Sequence, residues 1–174
     1  MGRLRGALKQ KERRLKIIER FKKQGIKKLN NLTKREWLIA GIALYWGEGA
    51  RKSHEVKFCN SDYKLIKFMI NWLTINSRVK TKDLTCCLGI NEDHRSREQI
   101  VKKYWSEITG IPLEQFRKTS FKKVKNKKVY QNFNEHYGTL TVIVRGPANF
   151  HYRILGLIDG LAEAGSGLVS RGVS

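Results

Sequence analysis

The chain has 174 residues, with 36 Lys and Arg against 15 Asp and Glu, and its formal net charge is +21. Such an imbalance destabilises a protein by self-repulsion, and an enzyme for small neutral metabolites gains nothing from it. It therefore indicates a polyanionic partner, most commonly a nucleic acid. Because 40% of the residues are hydrophobic, we expect one folded domain with basic extensions.

Two other classes of protein fit the sequence poorly. The longest apolar run, Leu38–Trp46, is too short to cross a bilayer and no secretory signal is recognised, so we expect no membrane partner. The cysteines, Cys59, Cys86 and Cys87, are odd in number and two are adjacent, which does not suit a disulfide framework or a zinc site. We expect buried free thiols on strands and a reducing, cytoplasmic location.

The first 32 residues are predicted to form a basic N-terminal helix or arm. Residues 1–35 contain fourteen Lys and Arg and two Glu. Lys9–Lys28 has a sparse apolar stripe that would let a helix dock one side on a domain while its other side faces phosphates. A solvated arm that orders only on binding is an equal alternative.

A second helix is predicted from Lys34 to about Gly47. Thr33 and Glu36 have the spacing of a capping box, in which each side chain accepts a hydrogen bond from the backbone of the other residue. Gly49 follows as a natural left-handed stop.

Residues 33–164 are predicted to form an α+β domain with a small mixed or antiparallel sheet backed by helices. Three units of strand, polar cap and helix follow one another. The strands are expected at 55–59, 84–90 and 140–144, and the helices should end near residues 73, 109 and 164. Residues 115–130, with seven Lys and Arg and no acid, predict a β-ribbon or a loop. Residues 165–174 are rich in Gly and Ser and are expected to be disordered.

The second helix carries the most specific signal. Ala40, Ala43 and Gly47 share one face, which would let two copies of this helix approach closely in a homodimer. Glu48 lies at the helix C-terminus, where a carboxylate is disfavoured unless positive charge is nearby. Two copies would place two carboxylates together in a hard-oxygen site suited to Mg²⁺, which could clamp a phosphodiester and activate water.

The segment Ala43–Gly49 resembles the last seven positions of the LAGLIDADG homing-endonuclease motif, a helix with a small-residue face that ends in Gly-acid-Gly. Glu48 falls on the metal-binding acid of that motif. Ala43 stands where Gly is usual, and Trp46 stands where Asp is common. The more literal spelling at 155–160 is interpreted as part of the closing amphipathic helix, so the chain carries one usable motif.

The resemblance implies a LAGLIDADG-like fold, a homodimer and Mg²⁺-dependent cleavage of duplex DNA, with Glu48 as both catalytic and metal-binding residue. It also implies a basic residue of the sheet that stabilises the charged transition state. The candidates are Lys127, Lys128 and Arg145, and no spacing selects one of them. A non-catalytic DNA-binding regulator or an RNA-binding module on the same fold is the alternative.

Basic residues outside the motif are expected to contact the nucleic acid. Lysines grip phosphates as point charges and carry little sequence information. The alternative for the basic stretch is a solvated loop. The residues assigned to binding are Arg13, Arg14, Arg51, Lys52, Lys57, Arg117, Lys118, Lys122, Lys123 and Lys125. The polar run Asn91–His94 is interpreted as a helix cap instead of a metal or acid–base site.

Overall fold

The structure is a computed structural model that describes residues 2–77, 79–123, 133–146 and 148–171. The chain divides into two compact units, Met1–Trp37 and Leu38–Ser174. The helices are α1 (Gly2–Lys28), α2 (Lys34–Glu48), α3 (Tyr63–Ser77), α4 (Glu98–Thr109) and α5 (Ala148–Arg171). The strands are β1 (Lys57–Asn60), β2 (Leu84–Asn91), β3 (Ser120–Lys122) and β4 (Thr139–Val144).

The first unit contains the basic helix that the sequence predicts. Helix α1 begins at Gly2, earlier than the predicted Lys9, and runs to Lys28. Its side chains from Gly6 onwards are exposed, including the apolar stripe around Ile18 and Phe21. The helix is therefore confirmed, and docking of its apolar stripe on a domain stays a prediction.

The capping box at the start of α2 is confirmed. The Thr33 N–H donates to Glu36 Oε2 at 2.7 Å, and the Glu36 N–H donates to Thr33 Oγ1 at 3.2 Å. These bonds to Thr33 lower the pKa of Glu36 below its ordinary value, the backbone bond having the larger effect. Two donors that the helix itself cannot satisfy are thus satisfied locally.

Gly49 serves a different purpose from the one predicted. The expectation of a left-handed stop is wrong, because the positive-φ glycines of the described residues are Gly110 and Gly138. Gly49 instead forms an antiparallel bridge with Phe58 of β1. A Cβ at residue 49 would lie 2.5 Å from the Tyr45 carbonyl oxygen, so only glycine fits there. Helix α2 therefore runs directly into the edge of the sheet.

The sheet is mixed and has the strand order β1-β4-β2-β3. Strand β4 is antiparallel to both β1 and β2, and β3 is parallel to β2. Strand β3 is the short strand that forms in the basic stretch 115–130, where a ribbon or loop was predicted. Within the described part of that stretch it is a single strand rather than a two-stranded ribbon.

One face of the sheet forms the core together with the helices. Phe58, Leu88 and Val142 point to this face and are buried, and α3 packs on it with α4 beside α3. Trp72 of α3 and Trp105 of α4 are fully buried. Each large side chain buried in this way stabilises the fold by about 1.5–3 kcal/mol.

The cysteines follow the two-residue alternation of the strands instead of being uniformly buried. All three are free, but Cys59 is exposed and Cys87 is half-buried, so the expectation of buried thiols holds for Cys86 alone. Burial raises the pKa of the Cys86 thiol to about 12. The other two side chains point away from the core.

Helix α5 is the closing amphipathic helix that the sequence predicts, since His151, Ile154 and Ile158 are buried on one side of it. It continues to Arg171, into the segment whose composition favoured disorder. The structure thus differs from the prediction over residues 165–171, where the preceding helix is propagated through Gly and Ser. No helix in the described ranges is both long and apolar enough to cross a membrane.

Candidate nucleic-acid interface

The side of the sheet opposite the core carries short polar side chains, and we call it the polar sheet face. Register places Cys59, Thr141 and Cys87 in one row across three strands. A second row contains Thr139, Gly89 and Ser120. Asn91 and Lys122 lie at one end of the face, and Lys57, Ile143 and Thr85 form the row at the other end. All but Ile143 and Thr85 are half-buried or exposed, and none of the four described strands contains Asp or Glu.

Positive charge gathers at the Lys57 end of this face. Lys57 is paired with Ile143, and Ile143 is paired with Thr85. The side chains of Ile143 and Thr85 are each 5% exposed, so the part of this row beside Lys57 is buried. The Arg117 backbone N–H donates to the Cys86 carbonyl at 2.7 Å, which places residue 117 beside β2. Two residues assigned to binding from the sequence therefore lie at the same end of the sheet.

Glu55 is a carboxylate near this end that the sequence did not single out. Its Oε2 atom lies 2.8 Å from Lys57 Nζ. Its pKa lies below the ordinary value, chiefly because Lys57 donates a hydrogen bond to it, and Arg117 contributes a smaller electrostatic effect. Glu55 thus interacts with Lys57 of β1 and with Arg117 beside β2, which lie on opposite sides of β4.

The other end of the polar sheet face carries Lys122, which is opposite Asn91. The pKa of Glu92 is lowered mainly by its hydrogen bond from Arg95, and the exposed Lys123 contributes a smaller electrostatic effect. Along β2, the row of Lys57 lies at Thr85 and the row of Lys122 lies at Asn91. These two positions are six residues apart, which corresponds to about 20 Å of strand. About six base pairs of duplex span the same length.

The end of α2 is fixed against β1 by a buried tyrosine. The Tyr45 hydroxyl donates to the Ala50 carbonyl at 3.2 Å and accepts from the Lys57 N–H at 3.3 Å. Burial raises the pKa of Tyr45. Since Glu48 lies between Tyr45 and Ala50, its backbone is held at the edge of the sheet while its side chain is exposed.

The small residues of α2 are divided between two sides of the helix. Gly41 faces the core, where a Cβ would lie 2.0 Å from the Trp72 ring. Ala43 and Gly47, predicted to form a dimer face, are exposed, and a Cβ at residue 47 would have no neighbour within 4 Å. Ala40, the third residue of that face, is half-buried. Two apolar residues on the same exposed side, Ile39 and Trp46, are 39% and 37% exposed.

The Mg²⁺ site implied by the resemblance stays a prediction. Among the described residues, no group of three or more His, Cys, Asp or Glu side chains is placed to hold a metal ion. Glu48 supplies one exposed carboxylate at the end of α2.

The remaining predicted residues are dispersed. Arg51 and Lys52 are exposed and line a shallow hollow directly after Gly49. Arg145 is exposed, and its Nη2 donates to the Lys82 carbonyl at 3.2 Å.

Other residues predicted to bind are also exposed. Lys118 is exposed, and its carbonyl oxygen lies 3.4 Å from Cys87 Sγ. Arg13 and Arg14 are exposed on α1. Lys125, Lys127 and Lys128 lie outside the described residues.

The polar run after β2 has a different role from the one predicted. Asn91 Oδ1 accepts from the Asp93 N–H at 3.1 Å and caps a 3-10 turn, Glu92–Arg97. The run was predicted to cap the following α-helix, but α4 begins at Glu98 without a side-chain cap. The turn that begins there also buries His94 and Arg97. No spacing in the sequence marks these two residues, because their partners lie almost 40 positions away.

No family model, no curated protein and no solved structure matches this chain.

Proposed function

We propose that this chain binds duplex DNA along the polar sheet face. The observation that carries the proposal is a strand surface without carboxylates, with Lys57 at one end and Lys122 at the other. Between them lie Thr, Ser and Asn side chains, which can donate hydrogen bonds to phosphates or base edges. The formal charge of +21 supplies attraction over longer distances.

The dimensions of the face favour DNA over double-stranded RNA. Three adjacent strands, β1, β4 and β2, cover a width of about 10 Å, and β3, which carries Lys122, lies about 5 Å beyond them. The major groove of B-form DNA is about 12 Å wide and admits β-structure, whereas the major groove of A-form RNA is too deep and narrow for side chains to read. Binding of structured RNA is the alternative function.

Fluorescence anisotropy with a 20-base-pair duplex and the matching RNA duplex tests this proposal. We expect tighter binding of DNA, and a double variant Lys57→Met with Lys122→Met should lower the slope of log K against log salt by about 1.8. The matched control removes two exposed lysines elsewhere, Lys64→Met with Lys103→Met. Equal losses in both double variants, or preference for RNA, would contradict the assignment of this face.

We also propose that the chain forms a homodimer through the exposed side of α2. Support comes from the absence of contacts at Gly47 and from the exposed Ile39, Ala43 and Trp46 beside it. Ala43→Leu should weaken association because it would hold the two helix backbones apart. Sedimentation at increasing concentration measures this, and a wild-type chain that stays monomeric at high concentration would refute it.

In such a dimer, the two Glu48 carboxylates are proposed to take part in cleavage of the bound DNA. A bound Mg²⁺ would supply Lewis-acid chemistry there, and Glu48 would help to hold it. Nicking of closed circular DNA by wild type and Glu48→Gln tests this, with the exposed Glu107→Gln as control. Nicking that survives Glu48→Gln refutes the role of Glu48, and a wild type that binds without nicking favours the non-catalytic DNA-binding alternative.

A further inference from the structure

Helix α1 carries a continuous row of cations along one side, called here the cationic row. Its members follow one another at alternating intervals of four and three residues. Because an α-helix turns once in about 3.6 residues, this spacing places them within about 80° of one another around the helix. All are exposed. The cationic row consists of Lys9, Arg13, Lys16, Arg20, Lys23 and Lys27.

Two glutamates lie beside the cationic row without neutralising it. Glu12 and Glu19 are displaced from its centre by about 60–80° around the helix. Glu19 Oε1 lies 3.9 Å from Lys23 Nζ, and the two side chains are 55% and 76% exposed. An exposed pair of this kind contributes little to stability. Neighbouring cations of the row therefore repel one another until an external anion neutralises them.

The apolar stripe of α1 argues against a membrane as that anion. Leu8, Leu15 and Ile18 lie on a different side of the helix from the cationic row and are about half exposed. Lys11 and Lys22 share their side, at the spacing of the stripe. A helix that inserted this side among acyl chains would carry both charges into them. The same two lysines disfavour a coiled coil with α1 of a second copy.

The dimensions of the cationic row suit a nucleic-acid duplex. Lys9 and Lys27 are eighteen residues apart, which corresponds to about 27 Å of helix. About eight base pairs of duplex have the same length. A duplex carries about one negative charge per 1.7 Å of its axis, so every cation of the row can find a phosphate over this length.

We propose that the cationic row of α1 is a second nucleic-acid-binding surface, which contacts the phosphate backbone of a duplex. Arg13 belongs to it. Arg14, also assigned to binding from the sequence, lies about 100° away around the helix and does not. The row adds affinity without base recognition, because phosphate contacts carry no sequence information. It is separate from the polar sheet face, and the inference does not rest on the binding proposed for that face.

The test uses two double variants of the full chain that differ only in the side of α1 they change. The row pair is Arg13→Gln with Lys27→Gln, and the control pair is Arg14→Gln with Lys28→Gln. Each control residue is the sequence neighbour of the residue it matches, and all four are exposed. Both pairs remove one Arg and one Lys, and Gln has a helix propensity close to that of either.

Salt titrations with the 20-base-pair DNA duplex distinguish the two sides. The row pair should lower the slope of log K against log salt by about 1.8, because two phosphate contacts are lost, and the control pair should lower it by less than about half as much. The affinity of the row pair at 0.15 M salt should fall on the order of tenfold. Equal losses would mean that only net charge matters, and they would overturn the inference, as would an unchanged slope in the row pair.

Circular dichroism separates a binding role from a structural one. The row pair removes like-charge repulsion along α1, so its helical content should be no lower than that of the control pair. Lower helical content in the row pair would show that these side chains hold the helix together, and the inference would then be wrong.

Combination with the sheet variants separates this inference from the proposed function. The row pair should lower the slope by the same amount in the Lys57→Met with Lys122→Met background, because the two surfaces act independently. A slope that responds to the row pair and not to the sheet variants refutes the polar sheet face and supports the row. The opposite result refutes the row.

Vesicles made of equal parts of phosphatidylcholine and phosphatidylserine test the other anionic partner. At equal concentrations of phosphate, the wild type should bind the DNA duplex more tightly than the vesicles. Tighter binding to the vesicles would refute nucleic acid as the partner of the cationic row.

Discussion

Replacement of Gly41 by alanine should destabilise the protein although alanine is the better helix former. A Cβ at residue 41 would lie 2.0 Å from both Cδ1 and Nε1 of Trp72. Trp72 is fully buried, and its Nε1 donates to the Leu38 carbonyl at 3.2 Å. The indole must move to accommodate the methyl group, so both its packing and its hydrogen bond are lost.

The magnitude follows from three contributions. Overpacking of a close-packed core costs about 1–3 kcal/mol. A buried indole N–H left without an acceptor costs about 1–3 kcal/mol more. The gain in helix propensity offsets about 1 kcal/mol of this. The free energy of unfolding should therefore fall by about 3 kcal/mol, which for a chain of this size lowers Tm by about 6–12 °C.

Thermal and urea unfolding of Gly41→Ala measure the effect, and Gly47→Ala is the matched control on the same helix. The added Cβ at residue 47 meets nothing within 4 Å. The control should therefore gain about 0.5–1 kcal/mol from helix propensity in the monomer. If Gly41→Ala is as stable as the control, α2 and α3 do not approach as described and the reasoning is refuted.

Three further changes have defined outcomes. Glu55→Gln should release Lys57 and Arg117 for phosphates, so DNA affinity at low salt should rise severalfold and the salt slope should increase by about 1–2; an unchanged slope contradicts this. Burial is the main cause that lowers the pKa of His94 from 6.5. The unfolded chain therefore binds more protons at this residue than the folded chain, and the free energy of unfolding should fall as the pH drops below 6.5. Urea titrations from pH 5 to 8 should show a weaker fall in His94→Gln. Tyr45→Phe should cost about 1–3 kcal/mol by urea unfolding, because the Ala50 carbonyl and the Lys57 N–H lose their shared partner.

The parts of the fold that the sequence predicts are those determined by neighbouring residues. The Thr33–Glu36 capping box depends on a spacing of three residues, and its reciprocal hydrogen bonds form. The alternation in β1 and β4 likewise predicts a strand with one buried side. Helix α2 was predicted from the same local rules, and its end differs by one residue.

The contacts between distant residues could not be predicted in this way. Gly41 is one of several small residues on α2, and only the position of Trp72, 31 residues later, selects it as the one against the core. Arg97 looks like an ordinary surface arginine until residues 133–136 bring their carbonyls to it. The polar sheet face likewise depends on a register between strands that are separated by many residues.

The lengths of the outer strands have a consequence for behaviour at high concentration. The two edges of the sheet are its shortest members, β1 with four residues and β3 with three, and each includes a lysine. A short, charged border offers few free backbone groups to a foreign strand and repels an identical neighbour. Such borders protect the sheet from growing sideways into fibrils.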